Sequence, residues 1–495
     1  MKLTIQNKTE FLNDYYFQTL CLLYFPGEKF HDGYESPAAA TFLLERQADG
    51  FYCRTELTLG ERTAIGTFHT AGYTPHVEMT DSDFAALALG KAYLRAGESL
   101  MGFPLPWGYL LGLRPVKRAK FYLDRGYDPQ TVEKLFIEDY DVLPSKARLA
   151  VETAMTENVM LTDIGETDCG LYLSIPFCPT KCDYCSFISC ATPRLFSLIP
   201  SYLERLKRDF ADTCALIREL GLRLRAVYIG GGTPSILTEE QLTDLLSHIK
   251  EHRPTEHLLE FSFEAGRPDT ITTEKLHILK AYGVDRISVN PQTTNDTVLQ
   301  NIGRKHTVAD FFAVAKEALS LGFATVNADL IAGLPGDTKE SFAKSLAEVM
   351  EMGFENITVH TLSVKKSASL RFRDGEVYDP AGVLARDCVE YACNTLSEAG
   401  WAPYYLYRQK NIVGNAENVG YAKKGTENLY NVLMMEEYST VFACGAGAIT
   451  KLVSPGRDEI CRIAFPKYPY EYLDTDHGIR ETEIREFFSN VLRKV

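Results

Sequence analysis

The sequence predicts an α/β protein built on a partial (β/α)6 barrel of the TIM type. Two observations carry this expectation. Six short β-rich runs alternate with amphipathic stretches between about residues 165 and 365, and glycines stand where the intervening helices should end. Strand–helix units in succession imply a parallel sheet with right-handed crossovers. Six units rather than eight favour an open barrel. The barrel is expected over 165–370, between an N-terminal α+β extension (1–160) and a C-terminal α/β domain (371–495).

In the extension, 42–71 reads as antiparallel strands, and 81–97 and 145–157 read as helices. The first barrel strand is 171–176. The helix after it places Leu203, Leu206, Phe210, Cys214 and Ile217 on one face, with Gly221 at its end. A second strand follows at 225–229, and Thr238-Glu-Glu-Gln241 then fits a capping box. The remaining strands are 258–264, 285–289, 324–331 and 356–361, with helices ending near Gly283, Gly322 and Gly353. Beyond 370 the pattern is mixed, with a helix near 387–400 and short strands after Trp401.

A net charge of −14 argues against broad nucleic-acid binding, because most faces would repel a phosphate backbone. The start, Met1-Lys-Leu-Thr-Ile, lacks a signal-peptide layout, and no apolar run is long enough to span a bilayer. Twelve cysteines in such a chain suit reduced thiols or metal ligands, so a cytoplasmic location is expected.

The sharpest motif follows the first barrel strand: Pro176-Phe-Cys178-Pro-Thr-Lys-Cys182-Asp-Tyr-Cys185. Three thiolates in C-x-x-x-C-x-x-C spacing suit a soft metal centre. Three ligands to a cubane leave one iron open to bind a small molecule. The competing assignment is structural zinc with Cys190 as fourth ligand, although zinc sites usually use C-x-x-C pairs.

Other suggestive segments fall at the carboxyl ends of the strands, where barrel enzymes build their sites. They are Gly230-Gly-Gly-Thr-Pro-Ser235, Glu264, Asn290-Pro-Gln292, Gly303-Arg-Lys-His-Thr307 and Asp329-Leu-Ile-Ala-Gly-Leu-Pro-Gly336. Glycines let the backbone approach a ligand and offer it N–H groups. Taken singly, Glu264 and Asp329 also fit hydrogen-bonded barrel carboxylates, and Arg304 an exposed helix charge. Their joint placement favours a site.

The cysteine loop, with Tyr184 before its third cysteine, resembles the radical S-adenosylmethionine (SAM) signature. The ordered barrel motifs resemble the oxygen-independent coproporphyrinogen III dehydrogenases. Val359-His-Thr-Leu-Ser-Val-Lys-Lys366, Pro403-Tyr-Tyr-Leu-Tyr-Arg-Gln-Lys410, Gly414-Asn-Ala-Glu-Asn418, Leu105-Pro-Trp-Gly108 and Gly112-Leu-Arg-Pro115 resemble the Z type of that family. Cys444-Gly-Ala-Gly-Ala-Ile449 resembles the glycine turn that closes its C-terminal domain.

The resemblance implies a [4Fe-4S] cluster on Cys178, Cys182 and Cys185, and one or two molecules of SAM. It places Tyr172 and Tyr184 beside them, Gly231, Gly232 and Thr233 against the SAM methionine, and Glu264, Gln292, Arg304 and Asp329 around SAM. The implied reaction decarboxylates coproporphyrinogen III propionates to the vinyls of protoporphyrinogen IX in anaerobic haem biosynthesis. Flavodoxin or ferredoxin would donate electrons. Lys365, Lys366, Arg408 and Lys410 are candidate propionate anchors, each equally able to be a surface charge. The best-characterised dehydrogenases carry another cysteine where Phe187 stands, and the haem-chaperone branch lacks it too. A haem-binding chaperone and a haem-modifying or haem-degrading radical SAM enzyme are therefore the alternatives.

Overall fold

The computed structural model describes residues 1–31, 33–185, 190–364 and 382–492. They form two compact units: 1–155 with 406–417, and 156–405 with 418–495. The sequence division at 370 is not where the compact units part. Residues 418–495 belong with the barrel, and the short stretch 406–417 belongs with the N-terminal unit.

The N-terminal unit holds a four-stranded sheet of β1 (Lys2–Lys8), β2 (Ala38–Gln47), β3 (Gly50–Leu59) and β4 (Arg62–His69), in that order. β1 runs parallel to β2, and the other pairs are antiparallel. Burial alternates along β2 and β3, as one-faced packing requires. The helix Asp81–Met101 covers that face and starts at a Thr80–Asp83 capping box. Trp107 and Lys146 both bond the buried Glu417 carboxylate, at 2.8 and 2.7 Å.

In the second unit, six parallel strands lie side by side in chain order. They are β5 (Asp168–Ile175), β6 (Arg223–Gly231), β7 (Glu260–Gly266), β8 (Arg286–Val289), β9 (Thr325–Ala332) and β10 (Asn356–Thr361). This is the expected open barrel, with β5 and β10 unpaired to each other. Its strands are almost continuously buried, as in sheets covered by crossover helices. Leu203, Leu206, Phe210, Cys214 and Ile217 all face the core. The Thr238–Gln241 box forms, and Gly353 caps its helix at φ 91°, a conformation that favours glycine.

The later chain extends both edges of this sheet. β11 (Ala402–Tyr407) lies beside β12 (Asn418–Ala422), which pairs antiparallel with β10. β13 (Thr440–Cys444) pairs parallel with β5, and β14 (Ile449–Val453) and β15 (Ile460–Ala464) continue antiparallel. The result is one sheet of eleven strands. Among the described residues no helix is long and apolar enough to cross a membrane.

Candidate active site

The cysteine loop leaves β5 and is tied down from three directions. Cys178 N–H donates to the Cys190 carbonyl at 3.1 Å, and Cys190 N–H donates to the Pro176 carbonyl at 2.8 Å. Cys190 thus closes the loop through its backbone. From the end of β6, Gly232 and Thr233 N–H groups donate to the Ile175 and Phe177 carbonyls, both at 2.8 Å, and Thr233 Oγ1 donates to Cys178 Sγ at 3.4 Å. After β8, the Ile302 carbonyl accepts from Asp183 N–H at 3.1 Å, and Arg304 donates to the Tyr184 hydroxyl at 3.1 Å.

Gly232 is where the backbone comes closest. A Cβ there would lie 2.6 Å from the Phe177 carbonyl oxygen and 2.9 Å from Cys178 Sγ. No side chain fits. Burial pushes the Cys178 thiol up to about 11, so a thiolate needs compensation such as iron provides.

Further along the strand ends, Tyr172 stacks on Tyr228 and Tyr430, with centroids 6.1 and 6.0 Å away. Tyr228 donates to Glu264 Oε1 at 2.6 Å. Burial pushes the Glu264 carboxyl up to about 7 in spite of that bond. Asp329 behaves oppositely. Burial pushes its carboxyl up, but bonds from His360 and Asn327 outweigh this and hold it below the usual range. Its Oδ1 accepts from Asn327 at 2.8 Å, and His360 Nε2 stands 3.6 Å from its Oδ2.

Gln292 sits at φ 69°, a left-handed conformation unusual for a residue with a side chain. It is pinned there by its N–H donating to the Asp329 carbonyl at 2.9 Å and its carbonyl accepting from Ile331 at 3.0 Å. Arg304 is 7% exposed, yet its Nη1 has no hydrogen-bond partner among the described residues. A buried cationic donor left open is a feature that a bound anion would satisfy.

The profile of the Radical SAM superfamily matches residues 172–349. The oxygen-independent coproporphyrinogen-III oxidase-like protein HemZ of Bacillus subtilis is 35% identical, over 85% of this chain and 86% of its own. The chain belongs to that coproporphyrinogen-oxidase-like family of radical SAM proteins. The heme chaperone HemW of Bacillus subtilis is 31% identical, over 65% of this chain and 83% of its own. The solved coproporphyrinogen III oxidase HemN of Escherichia coli aligns at a TM-score of 0.48 and 23% identity, covering 60% of this chain and 67% of that one.

The cofactors of a radical SAM protein are a [4Fe-4S] cluster and SAM, and the residues present fit both. Two of the three loop cysteines receive donors, Gly232 brings side-chain-free backbone against Cys178 Sγ, and Arg304 Nη1 has no partner among the described residues.

Of the sequence-predicted residues, Gly232, Thr233 and Arg304 meet the cysteine loop and its Tyr184, Gly231 packs against Ile175, Tyr172 and Glu264 are joined through Tyr228, and Gln292 bonds the Asp329 main chain. The proposed anchors fare differently. Arg408 belongs to the N-terminal unit, where its Nη1 donates to the Leu110 carbonyl at 2.9 Å and the Gly112 carbonyl at 3.4 Å. Burial brings it down to about 10, and its Nη1 is taken by main-chain carbonyls while its buried Nε has no partner among the described residues, so the structure ties its Nη1 to the fold and not to an anchor role. Lys365, Lys366 and Phe187 lie outside the described residues.

Sequence reasoning passed over Arg267. Its side chain reaches back to the cysteine loop, with Nη1 2.8 Å from Thr180 Oγ1 and 3.7 Å from Cys182 Sγ. The only sequence signal was an arginine one residue beyond β7, in a Gly-Arg-Pro-Asp stretch that reads as a turn.

Proposed function

We propose that the protein oxidatively decarboxylates propionate side chains of coproporphyrinogen III, giving the vinyl groups of protoporphyrinogen IX. The observation that carries this reading is the extent of the likeness to HemZ. It covers 85% of the chain, whereas the likeness to the chaperone HemW covers 65%. Cys178, Cys182 and Cys185 would hold the cluster. Gly231, Gly232 and Thr233, with the Gly232 and Thr233 N–H groups already holding the loop, would bring main chain close to SAM, and Glu264, Gln292, Arg304 and Asp329 would give it polar contacts. Tyr172 and Tyr184 would flank it. When bound, the cluster and SAM supply one-electron reduction and hydrogen-atom abstraction.

The chain's own part is to orient and to exclude water. Arg304 supplies a fixed positive charge beside the loop, and Asp329, kept ionised, can accept hydrogen bonds from a ligand. Glu264 is poised to hold or release a proton near neutrality. A reduced cytoplasmic setting and a flavodoxin or ferredoxin donor belong to the same reading.

The likeness to heme chaperones favours a second reading, in which haem is bound and not decarboxylated. Anaerobic incubation of the reconstituted protein with SAM, reductant and coproporphyrinogen III separates them. The first reading expects carbon dioxide and a tricarboxylate intermediate before the divinyl product. Tight haem binding with no decarboxylation would replace it with the chaperone, and SAM-dependent consumption of haem with a haem-degrading enzyme.

A further inference from the structure

We infer that Arg267 and Asp269 form a positioning pair for Cys182, fixing the cysteine loop and tuning the reduction potential of the cluster it carries. This rests on the reading that Cys178, Cys182 and Cys185 hold that cluster.

The pair stands at the end of β7, on a different element from the cysteines. Arg267 is 4% exposed, so its charge needs partners inside the protein. Asp269 grips one side of the guanidinium in a fork, with Nε–Oδ1 at 2.9 Å and Nη2–Oδ2 at 2.8 Å. A bidentate pair fixes direction as well as charge. The fork leaves Nη1 pointing away from Asp269, and that nitrogen meets the loop. It donates to Thr180 Oγ1 at 2.8 Å and to the Thr180 carbonyl at 3.2 Å, and lies 3.7 Å from Cys182 Sγ.

The Thr180 bonds hold the turn between Cys178 and Cys182. The sulfur contact places a cationic donor against a ligand atom. Hydrogen bonds and positive charge at ligating sulfurs stabilise the more electron-rich, reduced cluster and so raise its potential. Asp269 offsets part of the charge but not the direction of the donor. Burial pushes the Asp269 carboxyl up, and the Arg267 fork outweighs it, keeping the aspartate ionised beside its partner. Thr233 makes the matching contact to Cys178 from β6, but with a neutral hydroxyl. Cys182 is therefore a cysteine whose electron density the protein adjusts with a charged donor in contact with its sulfur.

The test uses full-length, anaerobically reconstituted protein: wild type, Arg267→Met, Arg267→Lys and Asp269→Asn. Iron and sulfide per chain are measured, and the midpoint potential is read by redox titration with electron paramagnetic resonance. Arg267→Met should shift the potential to more negative values, Arg267→Lys should restore part of the shift, and Asp269→Asn, which removes the offsetting negative charge, should shift it less and to more positive values. If Arg267→Met does not fold, by circular dichroism, the other two variants decide. An unchanged potential and unchanged iron content in every folded variant overturns the inference. A wild type that takes up no iron and sulfide would sink the cluster reading itself, a result distinct from failure of the pair.

Discussion

The N-terminal unit and the barrel mouth differ in how particular buried polar groups are met. In the N-terminal unit several are answered within the protein. Glu417 receives Lys146 and Trp107, Lys91 Nζ reaches the Glu138 carbonyl at 2.7 Å and Asp141 at 2.6 Å, and Asp139 accepts from Tyr73 at 2.5 Å. At the barrel mouth, Arg304 Nη1 and both ring nitrogens of the buried His306 have no partner among the described residues, and Gln292 holds a left-handed backbone. Buried groups left unsatisfied are costly, and the one on Arg304 stands beside the cysteine loop, where a bound ligand could answer it.

The largest effect that could break this contrast is loss of the cluster. Changing Cys178, Cys182 or Cys185 to Ala should abolish iron and sulfide binding. Changing Cys190 to Ser should spare it, because Cys190 acts through its backbone. Gly232→Val belongs with the first group, since its side chain would press on Cys178 Sγ. Full iron content in Gly232→Val, measured on anaerobic protein, would show that the cradle is looser than its geometry.

Next in size is a stability effect confined to the other region. Lys146→Met leaves the Glu417 carboxylate buried without its cation, which should cost about 3–5 kcal/mol. Denaturant unfolding checks the cost, and iron content and SAM cleavage measured under native conditions should not change. A SAM defect in a folded Lys146→Met protein would erase the distinction between the regions.

Asp329→Asn should have a smaller effect of the opposite kind. Folding and iron content should hold, while SAM cleavage falls about 10–100-fold, the equivalent of one charge-assisted hydrogen bond. Normal cleavage, measured as 5′-deoxyadenosine released, would return Asp329 to the role of a barrel carboxylate.

The contrast also explains what was legible in sequence. The six barrel strands and the cysteine loop were, because alternation, caps and ligand spacing are local. The parallel pairing of β13 with β5 was not, since it joins Thr440 to Cys169 across most of the barrel. Arg408 misled for a related reason. A cation among tyrosines reads the same whether it faces a ligand or two main-chain carbonyls. Arg267 was missed because its meaning lies in a sulfur on another strand end.

The smallest predicted effect tests Glu264, where the barrel mouth shows its cost without any ligand. Its carboxyl is raised by burial from 4.5 to about 7 in the folded protein. Between those values the unfolded chain has released the proton while the folded chain still holds it. Stability from this group is therefore greatest below about pH 4.5, falls as pH rises towards 7, and stays low above. Glu264→Gln removes the titration, so the iron-free variant should be more stable than wild type at pH 8, by on the order of 2 kcal/mol, with the advantage shrinking at pH 6. Tyr228 can still donate to the amide oxygen, so the packing should survive. Denaturant unfolding of iron-free protein at the two pH values gives the comparison. An advantage equal at both would assign the effect to packing. No advantage at either would mean that Glu264 is as well satisfied as the carboxylates of the N-terminal unit.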